Sequence, residues 1–180
     1  DNLGQEMMSY FVARSRFHAA KYPDVVFPAS VGTFSWYVKI GKEVGPTPDG
    51  RYDREAIAAN LSPAAGADRS GPTAAIGSYL KMRVADLAAG APIDLRFSSE
   101  GLKGRQGTER LAALIETFVA MGGNMLTVTA TDVEELRQAL LEPEKYRHLR
   151  VRMGGWSAYF VMLGEEQQKL HIRRVEHGLV

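Results

Sequence analysis

Two adjacent glycines, Gly154 and Gly155, separate the stretch Leu149-Arg150-Val151-Arg152-Met153 from the aromatic stretch Trp156-Ser157-Ala158-Tyr159-Phe160. Paired glycines suit the tight connection of a hairpin, because they accept the backbone angles that such a turn demands. On local spacing alone the segment is a strand, a turn and a strand. A turn does not explain why an arginine stands at one shoulder of the glycine pair and a tryptophan at the other.

The chain offers little material for the commoner chemistries. No Walker A loop is present, and Gly101, Gly104 and Gly107 do not follow a strand in the spacing of a dinucleotide fingerprint. The histidines, His18, His148, His171 and His177, are scattered, and the pair sharing a helix is six residues apart, which is not the spacing of two ligands on one helix face. No GxSxG elbow activates a serine. The sequence contains no cysteine, which excludes disulfides, thiolate metal sites and a thiol nucleophile supplied by this chain.

The 180 residues are 45% hydrophobic and 24% charged, an ordinary globular mixture sized for one domain or a compact pair. With 22 basic against 21 acidic residues, no global field favours a nucleic acid or an anionic membrane, and neither is expected as a partner. No apolar run approaches the roughly eighteen residues of a membrane span, and the first residues lack a signal core, so a cytoplasmic location is expected. The chain begins at Asp1 and not at Met, consistent with a piece of something longer.

The elements that must position the glycine pair can be read in outline. Apolar residues at Met7, Met8, Phe11, Val12, Phe17 and Ala20 predict a helix from Leu3 to about Lys21, stopped by Pro23. Asp24 to Ile40, rich in Val, Phe, Thr, Trp and Tyr, suits extended segments with a turn. Gly45 to Gly71 is broken repeatedly by Pro and Gly and reads as a long loop. A helix is expected from Pro72 to about Ala89, a strand at Ile93–Phe97, and an amphipathic helix from Gly107-Thr108 to Gly122-Gly123. Met125 to Thr131 is β-rich, Thr131 or Asp132 can cap the helix that follows, and Pro143 starts a short helical turn. Leu149 to Arg152 and Ala158 to Leu163 read as short extended pieces, and Glu165 to His177 as the last helix. The alternation from residue 93 onward argues an α/β fold whose short strands are pieces of a larger sheet.

The segment Arg152-Met153-Gly154-Gly155-Trp156-Ser157-Ala158-Tyr159-Phe160 resembles the radical motif of glycyl radical enzymes related to pyruvate formate-lyase and glycerol dehydratase. That motif reads Arg-Val-x-Gly followed by Tyr, Phe or Trp, and often continues Ser-Ala-x-Phe. The one departure is Met153 for Val, and both are apolar. Further pieces fit in order: Pro48-Asp49-Gly50-Arg51, Ser62-Pro63 to Gly66-Ala67-Asp68, Gly71-Pro72-Thr73-Ala74 with Ser78 and Lys81, then Pro143-Glu144-Lys145-Tyr146, Gln167-Gln168 and Ile172-Arg173-Arg174. The resemblance runs from about residue 46 to 177. It implies that 46–180 form the glycine radical domain and 1–45 the end of the catalytic barrel region. The implied fold is the C-terminal portion of a ten-stranded α/β barrel, with the radical loop between two short strands.

The resemblance makes Gly155 the radical site, with Arg152, Met153, Gly154, Trp156 and Ser157 forming its loop. Glycine suits the task because a planar Cα radical delocalises onto the flanking amides, and the lack of a Cβ lets that planar backbone form without strain. Oxygen attacks such a radical, so Met153, Trp156, Tyr159 and Phe160 are expected to wall the loop off from solvent. The implied partners are a radical-SAM activating enzyme, a cysteine-bearing N-terminal part of the enzyme and a small organic substrate, and a homodimer is allowed. No bound cofactor is implied, the radical being carried by the protein itself. Because this chain has no cysteine, the thiyl residue lies elsewhere. The residues leave lyase, dehydratase, decarboxylase, fumarate-adding and formate acetyltransferase chemistry open, and no substrate-binding residue is assigned.

Two other readings stay open on the residues: an autonomous radical-carrying subunit that docks on a cysteine-bearing partner, and an interaction domain in which Gly154-Gly155 is only a hairpin. Asp49, Arg51, Asp68 and Arg69 could position a substrate or the loop, although pinning or solvated roles suit charged residues in such a segment. Arg173 and Arg174, near the end of the last helix, complement its dipole and call for no further role.

Overall fold

Met8 and Val12, four residues apart, are the side chains that helix α1 (Asn2–Ala19) buries, and they seat it on the first of two cores. The computed structural model describes residues 2–153 and 156–177. Beyond α1 the chain is irregular. The Val31 N–H donates to the Gly90 carbonyl at 3.2 Å and the Ala89 N–H to that of Ala29 at 3.0 Å, but no strand ladder develops.

The extended reading of 24–40 fails at its end, where helix α2 (Tyr37–Glu43) forms in a β-prone sequence. The Trp36 N–H bonds the Thr33 carbonyl at 2.9 Å to make a turn, and the helix that follows drives Tyr37 into the second core. Tertiary burial overrides local propensity here. Gly41 permits the arrangement, since a Cβ at that position would lie 2.1 Å from the Glu55 carbonyl oxygen.

The loop expected over 45–71 is irregular, as its composition predicts, and Arg51 organises it. Its guanidinium donates to the carbonyls of Glu55 at 2.8 Å, Val44 at 3.1 Å and Tyr52 at 3.2 Å, and also to that of Gly45. Helix α3 (Gly71–Leu80) has Pro72 in its first turn but stops well short of Ala89. Arg83 turns left-handed at φ 53°, and a single turn of 3-10 helix, Val84–Asp86, follows. Long-range hydrogen bonds hold this break. The Asn124 amide donates to the Val84 and Leu87 carbonyls at 3.1 and 3.0 Å, and the Tyr79 hydroxyl donates to the Ala91 carbonyl at 2.6 Å.

Strand β1 (Pro92–Ser98), helix α4 (Gly104–Ala120) and strand β2 (Met125–Thr131) form a parallel βαβ unit, in register from Pro92 opposite Met125 to Ser98 opposite Thr131. Helix α4 starts earlier than expected, and Gly107 lies within it against the preceding turn, where a Cβ would sit 2.3 Å from the Leu102 carbonyl carbon. Helix α5 (Val133–Leu141) is capped by Asp132, whose carboxylate accepts from the Glu134 N–H at 2.8 Å.

The second sheet is the antiparallel pair β3 (Arg150–Arg152) and β4 (Ser157–Tyr159), followed by α6 (Glu165–His177). The extended reading of 158–163 shortens to β4, because Phe160–Met162 is a 3-10 turn that drops Phe160 wholly into the core. The architecture is mixed α/β. Residues on both sides of positions 45 and 46 share each core: Met8 and Val12 pack with Ile76 and Tyr79, and Tyr37 with Leu136, Val151 and Phe160. Among the described residues no helix is long and apolar enough to cross a membrane.

The alternation of Ile93-Asp94-Leu95-Arg96-Phe97 suggests one core face and one solvent face. The structure buries both. Ile93 and Leu95 join the first core, while Asp94, Arg96, Thr127, Thr129 and Thr131 line an equally buried polar face. Helix α6 packs against β1, and the 57–62 segment closes over Asp94.

Candidate functional site

The site is a hairpin whose strands alternate strictly. Val151, Met153, Ala158 and Phe160 turn into the second core, while Arg150 and Tyr159 face outward. In register, Arg150 opposes Tyr159, Val151 opposes Ala158 and Arg152 opposes Ser157. The Met153 N–H then donates to the Trp156 carbonyl at 2.8 Å, which extends the pairing by one residue on either side of the strands. Gly154 and Gly155 themselves lie outside the described residues. The half-buried Arg152 donates to the Ser157 hydroxyl at 3.2 Å and ties the strands together beside the turn.

The expected aromatic wall is only half built. Met153 and Phe160 are buried, but Trp156 is 39% exposed and Tyr159 43% exposed, which corrects the expectation for those two residues. For Tyr159 the reason is alternation: a side chain opposite Arg150 on the outer face cannot also cover the inner one. Tyr159 instead accepts from Arg150 at 2.8 Å, and the guanidinium carbon lies 4.9 Å from the ring centroid.

Behind Met153 stands His171 of α6, only 1% exposed, with its Nε2 2.9 Å from the Met153 sulfur. Burial, reinforced by the nearby guanidinium groups of Arg96 and Arg174, holds the imidazole well below its ordinary pKa. The ring is therefore neutral at neutral pH. A thioether can only accept, so the Nε2 carries the hydrogen and donates it to the sulfur.

Arg96 and Arg174 are themselves buried on the polar face. Burial, helped by Arg174, draws the Arg96 guanidinium down to about 9, against the opposing pull of Asp94, Tyr37 and Asp68, so it stays charged at neutral pH. Burial likewise lowers Arg174, again opposed by Asp94, Tyr37 and Asp68, and burial raises the phenol of Tyr37. The assignment of Arg174 to the helix dipole is thus corrected, since its side chain points inward while Arg173 alone is exposed. Asp94 is the carboxylate of this layer. It accepts from Asn60 at 2.7 Å and from Thr127 at 2.5 Å, and its backbone N–H donates to Ser62 at 2.9 Å.

Sequence reasoning missed Asp94, Arg96, His171 and Arg174. A signal existed for the last two, because Leu170, His171, Arg174 and Val175 form one stripe at helical spacing. No comparable signal marked Asp94 and Arg96, which looked like the wet face of a strand. Asp49, Arg51 and Arg69 line a cleft with Glu166, Lys169 and Arg173, and Arg51 is already committed to main-chain carbonyls there. Asp68 lies near enough to Arg96 and Arg174 to act on both electrostatically. Among the described residues no group of His, Asp or Glu is arranged to hold a metal ion.

Residues 57–161, more than half of the chain, match the family described as Glycine radical, and the hairpin lies inside that match. The chain belongs to the glycine radical family. It is 36% identical to an isethionate sulfite-lyase of Desulfovibrio desulfuricans over 82% of its own length and 18% of that enzyme's. Its fold is similar to that of a glycerol dehydratase from Clostridium butyricum, with a TM-score of 0.79 and 34% identity over 83% of this chain and 19% of that one. A glycyl radical enzyme from Archaeoglobus fulgidus is equally similar, with a TM-score of 0.79 and 36% identity over the same 83% of this chain and 19% of its own. The chain therefore spans less than a fifth of the length of these relatives. Like the isethionate sulfite-lyase and the glycerol dehydratase, characterised members of the family are lyases and dehydratases.

Proposed function

We propose that this chain is the C-terminal, radical-storing part of a glycyl radical enzyme and that Gly155 carries the radical. The observation that carries the reading is the hairpin within the family match, in which the Met153–Trp156 hydrogen bond fixes the main chain on both sides of the glycine pair. A radical-SAM activase removes one hydrogen atom from the Gly155 Cα. During turnover a cysteine thiol in the earlier part of the enzyme gives its hydrogen atom to that carbon, which leaves a thiyl radical to abstract hydrogen from a small organic substrate. The radical returns to Gly155 after each cycle.

The lyase and dehydratase names of the relatives support bond cleavage, carbon–sulfur or carbon–oxygen, over formate acetyltransferase chemistry. In this reading residues 46–180 are the glycine radical domain, and the βαβ unit contributes strands to a ten-stranded barrel completed by preceding sequence. The exposed Trp156 and Tyr159 then meet the barrel interior, which supplies the rest of the wall against oxygen. The setting is the cytoplasm of an anaerobic cell.

The test is anaerobic activation of the complete enzyme with its activase, followed by electron paramagnetic resonance. A glycine-centred doublet is expected, and it disappears in Gly155→Ala. Aeration should then cleave the chain beside Gly155. A doublet that persists in Gly155→Ala overturns the assignment.

A further inference from the structure

Met153 is the residue directly before the glycine pair, and its sulfur is gripped from behind by a ring that has no other hydrogen-bonded partner among the described residues. At 2.9 Å the Nε2 is within hydrogen-bonding reach of the sulfur, and because a thioether can only accept, the hydrogen of such a bond sits on the nitrogen. Every feature of His171 favours that single arrangement. The ring is fully enclosed, so it cannot swing out to water, and its Nδ1 is buried with no hydrogen bond of its own. It projects from the middle of α6, between Leu170 and Ile172, both also buried, so its backbone is fixed by the second core. Two buried cations, Arg96 on β1 and Arg174 one turn along α6, stand against a second proton on the ring. A protonated imidazole could still donate to sulfur, but the protein has built a site in which the neutral, Nε2-protonated form is the stable one.

The partner side is equally constrained. Met153 is buried in the same core, its N–H is taken by the Trp156 carbonyl, and the thioether sulfur is the one polar atom its side chain offers. A methionine here is held at both ends: by its backbone across the turn, and by its sulfur from α6. Valine or leucine would fill space but could not accept a hydrogen bond.

We propose that His171 is a positioning residue for the radical loop, acting through the Met153 thioether to fix where the main chain enters Gly154-Gly155. The proposal rests on the reading of Gly155 as the radical site for its consequence, but the latch itself is testable without any radical. His171 does not touch the reacting carbon in this account. It sets the loop's entry point, and so the order of the backbone that must flatten around the Cα.

The experiment uses the complete enzyme with His171→Leu, His171→Gln, Met153→Leu and the double variant His171→Leu/Met153→Leu. Met153→Leu conserves volume and removes only the acceptor, so it stays informative if the buried histidine proves hard to replace. In the resting enzyme, amide hydrogen exchange in the peptide covering 150–158 is expected to rise about fivefold in each single leucine variant, the scale of one lost hydrogen bond. Glutamine, which keeps a donor at a similar reach, is expected to restore exchange to within about twofold of wild type. The double variant is expected to be no worse than either single, since both remove the same bond. After activation, the half-life of the glycine-centred signal is expected to fall in the leucine variants and recover in His171→Gln.

Unchanged exchange in both leucine variants overturns the latch, as does an additive double variant or a failure of glutamine to rescue. A wild-type enzyme with no glycine-centred signal overturns the reading of Gly155 instead. An altered exchange pattern with an unaltered radical half-life overturns the link between latch and radical.

Discussion

Asn60 donates its side-chain amide to Asp94 at 2.7 Å, and this bond fastens an irregular segment to the centre of the parallel strand pair. Asn60 also accepts from the Thr33 and Phe34 N–H groups at 3.0 and 3.1 Å, so one amide joins three stretches that have no regular structure in common. Arg96 and Arg174 are buried as well, and the Asp94 carboxylate acts electrostatically on both guanidinium groups.

Asp94→Asn is accordingly expected to be strongly destabilising, because it leaves two enclosed cations with reduced compensation. Breaking a buried charge set by removing one partner costs about 3 kcal/mol or more. The measurement is the denaturant midpoint of the complete enzyme followed through Trp36 and Trp156. Asn60→Ala should show a smaller loss, about 1 to 2 kcal/mol, since it removes hydrogen bonds but no charge.

Arg51 makes a second, separable prediction. Its planar fork satisfies several carbonyls of the 41–55 loop at once, which an ammonium cannot reproduce. Arg51→Lys should therefore behave almost as badly as Arg51→Ala. Limited proteolysis within 45–70 is the readout, and a lysine variant as resistant as wild type would contradict the pinning role.

Gly41→Ala should disrupt the seat of α2 although alanine is the better helix former. The added carbon would collide with main-chain atoms of Glu55 and Ala56, which cannot rotate aside. The expected cost is about 2 to 3 kcal/mol, typical of overpacking against a rigid neighbour. Gly77→Ala in α3 is the control, because nothing stands within 4 Å of its added carbon.

The pH dependence follows from His171. Its folded-state pKa lies below the ordinary 6.5, so the unfolded chain takes up the proton first as pH falls. The stabilisation is fully present above that ordinary value and declines as pH drops beneath it. The thermal stability of wild type should therefore fall from about pH 6.5 downward, and His171→Gln should flatten that slope. Arg96 from β1 and Arg174 from α6 are the charged groups acting on the ring, and Arg96, drawn down only to about 9, keeps its charge through this range.

Much of the architecture was written locally. Asp132 followed by Glu134 and Glu135 marks a helix start, Met125 to Thr131 is a strand by its own composition, and the Pro- and Gly-broken stretch after Gly45 excludes regular structure. The glycine pair and its flanks likewise announced both the hairpin and the family, because a tight turn and a radical loop each depend on a few contiguous residues. What the chain could not announce was which surfaces would meet. Asp94 and Arg96 became interior groups only because α6, some 75 residues later in sequence, packs over the polar side of β1. His171 became a partner of Met153 for the same reason, and Tyr159 was left outside because successive residues of a strand point to opposite faces. Propensities and caps act over a few residues, whereas burial and charge pairing are decided by segments brought together from across the chain.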